Sequence, residues 1–391
     1  MKKALLTALL LFAGCLVTAQ NDTLVEAPPP RFECRGYVKY LHNVSFTPDK
    51  GSLRTNNFLH NRLNMSYRFS NALSARMELR TRVFWGEQVR QTPGFATLID
   101  YEKGLADLSW TPVKDSALIA HSIVDRLSLR WQHGRWDMVL GRQRVNWGIA
   151  TTWNPNDLFN AYNFFDFDYE ERPGSDALRL RYKVGSGDSG FDLAVSRDKD
   201  QKSATAALLY RFNTRGYDFQ AIGAWYREDL MLGLGWAGAI GDAGFKGEAA
   251  WFQPRNRLLD TTGAFTVVLD ASYTFEDGWY VGGAFLYTSL GGNGRGGLEN
   301  LALQTLSAKQ LMPYKYSVLA QTAHSFTPLF TANVNVIYCP GPDALILFPV
   351  LTYSLADNWD MDLVAQSFFI PEGKRFKNLG NALVLRVKWG F

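Results

Sequence analysis

Ten arginines in the first half of the chain fall at alternate positions or close to it: Arg62, then Arg76, Arg80 and Arg82, Arg126 and Arg130, Arg142 and Arg144, Arg179 and Arg181. A guanidinium stays charged at every physiological pH and presents a fixed fork of donors, so such a column attracts and orients anions. That chemistry is electrostatic, and the covalent alternatives lack their parts. His42, His60, His121, His133 and His324 are not spaced as metal ligands, and no Ser/His/Asp cluster can be assembled from the linear order. Asp360 and Asp362 share one face of a strand, where paired carboxylates are more often water or cation contacts than an acid and a base. The stretch GGNGRGG from Gly291 lacks the following Lys-Ser/Thr and the parallel βαβ setting of a phosphate loop. The residues therefore predict a non-enzyme that needs neither metal nor cofactor.

What must position these side chains is a strand, because only a period of two keeps every second residue on one face. Leu59, Leu63, Met65, Tyr67 and Phe69 oppose Arg62, Asn64, Ser66 and Arg68. Leu73, Ala75, Met77, Leu79, Val83 and Trp85 oppose Arg76, Glu78, Arg80 and Arg82. Further on, Leu127, Leu129 and Trp131 alternate with Arg126, Ser128 and Arg130, and Leu178, Leu180 and Tyr182 with Arg179, Arg181 and Lys183. The same pattern recurs at 265–275 and 330–338, with Thr, Asn and Asp in place of the arginines. The strand at 230–240 carries almost only Gly and Ala on its inner face, which predicts a thinner or more open wall there.

Connections alternate between short turns, such as Ser70-Asn71 and His133-Gly134, and longer segments, such as 86–122, 146–175 and 290–313. Strands apolar on one face and polar on the other, joined in that rhythm, predict an all-β transmembrane antiparallel up-and-down barrel of about 18 strands, with 16 as the fallback. The short turns would lie in the periplasm and the long loops outside. No segment of about 18 apolar residues predicts a membrane-spanning helix in the mature chain.

The ends fit this plan. Lys2 and Lys3, the apolar run from Ala4 and the small residues Val17-Thr18-Ala19 predict a secretory signal over 1–19. A lipoprotein reading of Phe12-Ala13-Gly14-Cys15 competes with it. Residues 20–32, with three consecutive prolines from Pro28, read as a periplasmic lead-in, and 33–391 as one barrel. Removing the two signal lysines lowers the formal charge from +4 to +2, too little to argue nucleic-acid binding. Cys34 and Cys339 fall near opposite rims, so two free, buried thiols are expected. The last strand alternates Leu383, Leu385, Val387, Trp389 and Phe391 with Ala382, Val384, Arg386 and Lys388, and it ends on the aromatic. That ending resembles the C-terminal signal of Gram-negative outer-membrane barrels. The resemblance implies recognition of Trp389 and Phe391 by the barrel-assembly machinery, with outer-membrane lipid and lipopolysaccharide as surroundings.

A second resemblance sits in the middle of the chain. GRQ at Gly141 to Gln143, WG at Trp147-Gly148 and NPND at Asn154 to Asp157 are similar to the pattern of large Gram-negative porin-like barrels, which include alginate-export and substrate-selective porins. The motifs occupy a small part of the chain. Strict alternation from Trp136 would leave Arg142 and Arg144 facing lipid, so a bulge at Gly141 is expected to turn both inward. The alternative holds both at the headgroup boundary. The loop that follows carries Trp147, Trp153 and a run of further aromatics, with acids at Asp157, Asp166, Asp168, Glu170 and Glu171. Loops this long are commonly functional. It is expected to fold inward as a constriction, its acids facing the arginine wall, although the two sets could instead neutralise each other in a plugged barrel. Residues 290–313 space Leu298, Leu301, Leu306 and Leu311 as a short helix able to cap the mouth. Together these features predict a porin-like channel for passive diffusion of small polar solutes, anionic or saccharide-like, possible as a homo-oligomer. A surface-interaction or envelope-assembly barrel with little transport is the alternative.

Overall fold

The computed structural model describes residues 30–48, 53–100, 102, 104–160, 172, 174–185, 187–199, 204–258, 262–294, 307–373 and 375–391. The signal segment, most of the lead-in, Asp166, Asp168, Glu170 and Glu171 of the long loop, and Leu298, Leu301 and Leu306 lie outside the described residues.

Among the described residues the chain forms β1 (Phe32–Phe46), β2 (Leu53–Arg68), β3 (Leu73–Gly86), β4 (Ser109–Lys114), β5 (Leu118–His133), β6 (Trp136–Gln143), β7 (Ser175–Lys183), β8 (Gly190–Ser196), β9 (Thr205–Thr214) and β10 (Tyr217–Tyr226). It continues through β11 (Asp229–Ile240), β12 (Ala243–Pro254), β13 (Ala264–Thr274), β14 (Tyr280–Thr288), β15 (Tyr316–Thr327), β16 (Phe330–Cys339), β17 (Ala344–Ala356), β18 (Trp359–Glu372) and β19 (Arg375–Gly390). Two short helices, α1 (Glu87–Gln91) and α2 (Phe95–Ile99), lie between β3 and β4.

Each wall strand pairs antiparallel with its neighbours, β3 pairs directly with β5, and β1 pairs with β19, which closes the sheet. Only β4 is extra. It pairs with the upper part of β5 alone, so the closed wall has 18 strands, as the alternation predicts. Closure leaves no open edge, the condition for spanning a bilayer with strands. At the seam Phe391 and Gly36 exchange backbone hydrogen bonds of 2.8 and 2.9 Å. A Cβ on Gly36 would meet the Arg62 carbonyl at 2.4 Å and the Phe391 ring at 2.8 Å, so this position must be glycine for the last residue to dock.

The two faces of the wall differ as the sequence requires. Outside, Leu127, Leu140, Leu178, Leu193 and Leu232 expose apolar side chains, and aromatics stack around the short-turn end, among them Tyr67 with Phe69, Trp136 with Tyr182 and Trp359 with Trp389. A water-soluble protein has no use for an unbroken apolar outer belt with an aromatic girdle; a bilayer does. Inside, the alternate residues are buried and mostly polar or small.

Cys34 and Cys339 lie at opposite ends of their strands and are not bonded to each other, but only Cys339 is buried; Cys34 is half-exposed. The reason is its place on the outward face, opposite Met65.

Candidate functional site

The interior has two unlike halves. One is occupied by chain. After β6 the backbone leaves the wall, and residues 144–160 run into the barrel. Val145 and Trp147 are fully buried and Leu158 nearly so, packed against the inward alanines and aliphatics of β7–β13, while the nearly buried Trp153 packs in the neighbouring sector. Wall side chains hold this segment by its own polar groups. Glu248 on β12 accepts the backbone N–H of Ile149, of Ala150 at 2.8 Å and of Asn156 at 3.0 Å. Asp270 on β13 accepts that of Thr151 at 3.0 Å, and Asp192 on β8 accepts the Trp147 indole N–H at 3.0 Å. Gln220 on β10 donates to the Trp147 carbonyl at 2.9 Å. A segment without ladder partners must find its hydrogen bonds elsewhere, and these carboxylates supply them.

The glycines of β11 mark the seat. A Cβ at Gly233 would meet the Asn156 side chain at 2.6 Å, and one at Gly235 would crowd Gln220 and Ile149. The bare inner face of this strand is therefore not an open wall, as its composition suggested, but the surface on which the loop lies. A second segment, 307–314, fills the neighbouring sector. Its Leu311, Met312 and Tyr314 pack with Trp153 on the inner residues of β13–β17, and Lys309 Nζ bonds Asp229 at 2.8 Å. The described end of the 290–313 connection thus lies inside the barrel, where it was expected to cap the mouth.

The other half is the arginine wall, and its guanidiniums are matched with acids on neighbouring strands. Arg62 binds Glu78 and, at 2.6 Å, Asp125, which also takes Arg80 at 3.0 Å. Arg126 reaches Glu78 at 3.3 Å and Arg179 binds Asp192, while Arg130 and Arg181 share Asp137. Arg82 lies over the Phe84 ring. Asp125 reaches the interior through a bulge: β3 and β5 pair Leu79 with Val124 and Glu78 with Arg126, so Asp125 is the extra residue, inward beside Arg126.

No such bulge occurs at Gly141. The registers of β6 with both neighbours run through it unbroken, and Arg142 stays on the opposite face from Gly141 and Gln143. The expectation that Arg142 turns inward is therefore corrected. It lies instead in the seam where β6 leaves the wall and β4 takes its place beside β5. There Arg142 binds Asp176 at 2.8 and 3.1 Å, Glu102 at 2.8 Å and the carbonyls of Ala106 and Val124 at 2.8 and 3.3 Å. A Cβ at Gly104 would collide with its guanidinium, so that glycine makes the room. Gly141 has φ +113°, with the Leu127 carbonyl 2.3 Å from where a Cβ would stand. Gln143 donates to the carbonyls of Val139 and Ala177 at 2.9 and 3.0 Å. The GRQ stretch thus lets the chain depart from the sheet without orphaned backbone groups. Arg142→Ala would strand two mostly buried carboxylates and is expected to cost about 3–5 kcal/mol; Arg142→Lys, a single-point donor, should rescue little. The urea midpoint of the heat-modifiable folded band in electrophoresis reads this out, and an unshifted midpoint would remove the seam role.

Arg144, past the end of β6, does face inward. With Arg31, Arg68, Arg76, Arg126, Arg130, Arg179 and Arg181 it lines a cavity of about 330 Å³ toward the short-turn end, and Glu33 is the one carboxylate in that lining. Of the acids expected to face this wall, only Asp157 lies among the described residues. Asp157 turns to Arg172 of its own loop, and burial pushes its carboxyl up to about 6 against the pull of Arg172 and Arg144. Folding of the loop thus favours the protonated form, and that contribution is lost as the pH rises from the usual carboxylate range through about 6. Asp362 is held by Arg386 at 2.7 Å and by Thr352, which leaves it no part in a carboxylate pair with Asp360. Of the partners that sequence reasoning missed, Asp137, Asp192 and Glu248 share one signal, a lone acid at an inward position of its strand, whereas Asp125 faces inward only through its bulge.

Solved structures with this architecture exist. The Pseudomonas aeruginosa protein OccK5 (OpdH) superposes with a TM-score of 0.58 over 92% of this chain and 98% of its own, at 9% identity. Acinetobacter baumannii OccAB1 gives 0.57 over 92% and 96%, at 8% identity, and the outer membrane protein OprD of P. aeruginosa gives 0.56 over 92% and 93%, at 11%. The chain has the fold of these outer-membrane porin barrels. At such identities the likeness is one of fold alone. No family model and no curated protein matches the sequence.

Proposed function

We propose that this porin-fold barrel is a channel for passive diffusion of small polar solutes and that it favours anions. The observation that carries the reading is the cavity lining: eight arginines against Glu33 alone. The carboxylates behind them, Glu78, Asp137 and Asp192, are fewer, so the space in front stays positive, and low-dielectric walls concentrate that field on whatever enters. Geometry favours the anionic half of the expected solute class over the saccharide half. Among the described residues, the loop tryptophans Trp147 and Trp153, which could have offered flat faces to sugar rings, are buried against the wall.

In planar bilayers under a tenfold KCl gradient, the purified barrel is expected to give a reversal potential of the anion-selective sign. It should fall short of the ideal limit of about 59 mV. It should also shrink as bulk salt rises and the Debye length falls from about 10 Å at 0.1 M to about 3 Å at 1 M. A cation-selective sign would refute the reading, and a current of zero would leave a plugged barrel.

A further inference from the structure

Outside the barrel, on the face away from all the chemistry above, β10 carries a furrow. Two adjacent outward residues of this strand, Ala221 and Gly223, are small, while those opposite them are large: Tyr210 and Leu208 on β9, Leu234 and Leu232 on β11. The depression belongs to an apolar groove of about 600 Å³ that continues past Ala249 to Trp251. A Cβ placed on Gly223 meets nothing within 4 Å, so the space is open rather than filled by a neighbour. Two residues further along the same face stands Trp225, about 7 Å on at the rise of a strand. Its indole is fixed by a 2.8 Å bond to the Arg227 carbonyl, and the guanidinium of Arg255 lies 4.1 Å over its ring centroid. Arg255 is exposed and has no carboxylate partner among the described residues. The end of β10 is the long-loop end of the barrel, so Trp225 and the cation over it lie just beyond the furrow on that side.

An apolar groove on the outer belt, with an exposed arginine stacked on the next outward residue of β10, matches hydrocarbon joined to an anionic head. We propose that the β10 furrow is a binding site for one anionic, phosphate-bearing membrane lipid, its acyl chain over Ala221 and Gly223 and its phosphate on Arg255. The bulky residues of β9 and β11 exclude bulk lipid disorder from the furrow, and the arginine gives two donors to phosphate oxygens. Stacking on Trp225 holds the guanidinium in place before the lipid arrives, which lowers the ordering cost of binding.

Native mass spectrometry of the detergent-purified full barrel tests this with phosphatidylglycerol and phosphatidylcholine of equal chain length. Wild type is expected to retain a single phosphatidylglycerol about tenfold better than phosphatidylcholine, the worth of one charge-assisted contact. Arg255→Ala should erase the preference between the two lipids. Gly223→Leu, which the open space accommodates, should lose retention of both. A heat-modifiable band for each variant establishes that it has folded. Equal retention of the two lipids by wild type, or undiminished phosphatidylglycerol on Arg255→Ala, overturns the site. Channel current plays no part in the readout, so failure here and failure of the transport reading are separate events.

Discussion

Glu248→Ala is expected to raise single-channel conductance and to make the current flicker. Glu248 is fully buried and gives its two oxygens to three backbone N–H groups of the inward segment. Each buried donor left unsatisfied costs about 1–3 kcal/mol, so three would move the ratio of docked to undocked loop by at least about a hundredfold. The apolar contacts of Trp147 and Leu158 remain, so the loop is expected to visit an undocked state rather than to abandon its seat. Glu248→Gln should give an intermediate effect. One oxygen can still take Ile149 and Ala150, while the amide nitrogen would face the Asn156 N–H, donor against donor. Gly235→Val offers an independent route to the same state, because its side chain would occupy the space of Ile149 and Gln220. Conductance equal to wild type in both Glu248→Ala and Gly235→Val, with folded barrels, would show that residues 144–160 do not narrow the path.

The difference between what the linear order disclosed and what it concealed has a physical origin. Alternation is a local property: each residue's face follows from its neighbours two away, and so the wall, its strand count and the inward side of Arg62, Arg80, Arg130 and Arg181 could be read directly. Seam and seat are not local. Arg142 answers to Glu102 and Ala106, forty and thirty-six residues distant, in a connection whose own strand, β4, breaks the rhythm of long and short. With those partners unseen, two arginines next to a glycine looked like a reason for a bulge. The bulge lies instead at Asp125, where no glycine or proline announces it, and it is held by the pairing of that carboxylate with Arg62 and Arg80. Small inward residues on β11 suggest an opening by composition alone, and only the approach of Asn156 and Ile149 shows that they form a seat. The acids of 161–171 stay an expectation, because those positions lie outside the described residues.

Exposure decides which arginines a solute meets, and with that the second large effect. Arg62, Arg80, Arg126 and Arg179 keep 12% or less of their side-chain surface accessible and are engaged with buried carboxylates, whereas Arg76, Arg130 and Arg181 keep 57%, 46% and 35%. Reversing charge at a buried member such as Arg80 would set two carboxylates against each other and test stability before selectivity. Arg76→Gln with Arg130→Gln instead removes two positive charges that face the cavity, while Glu78 keeps Arg62 and Arg126, Asp137 keeps Arg181, and Asp125 keeps Arg62 and Arg80. The reversal potential under a tenfold KCl gradient is expected to move toward zero by a large part of its wild-type value. Asp137→Asn should move it the other way, since that carboxylate offsets Arg130 and Arg181 from behind. Opposite shifts from neighbouring positions cannot arise from general loosening of the barrel, which would push both in one direction. If the double arginine variant and Asp137→Asn leave selectivity where wild type has it, the ions travel by some route other than this wall.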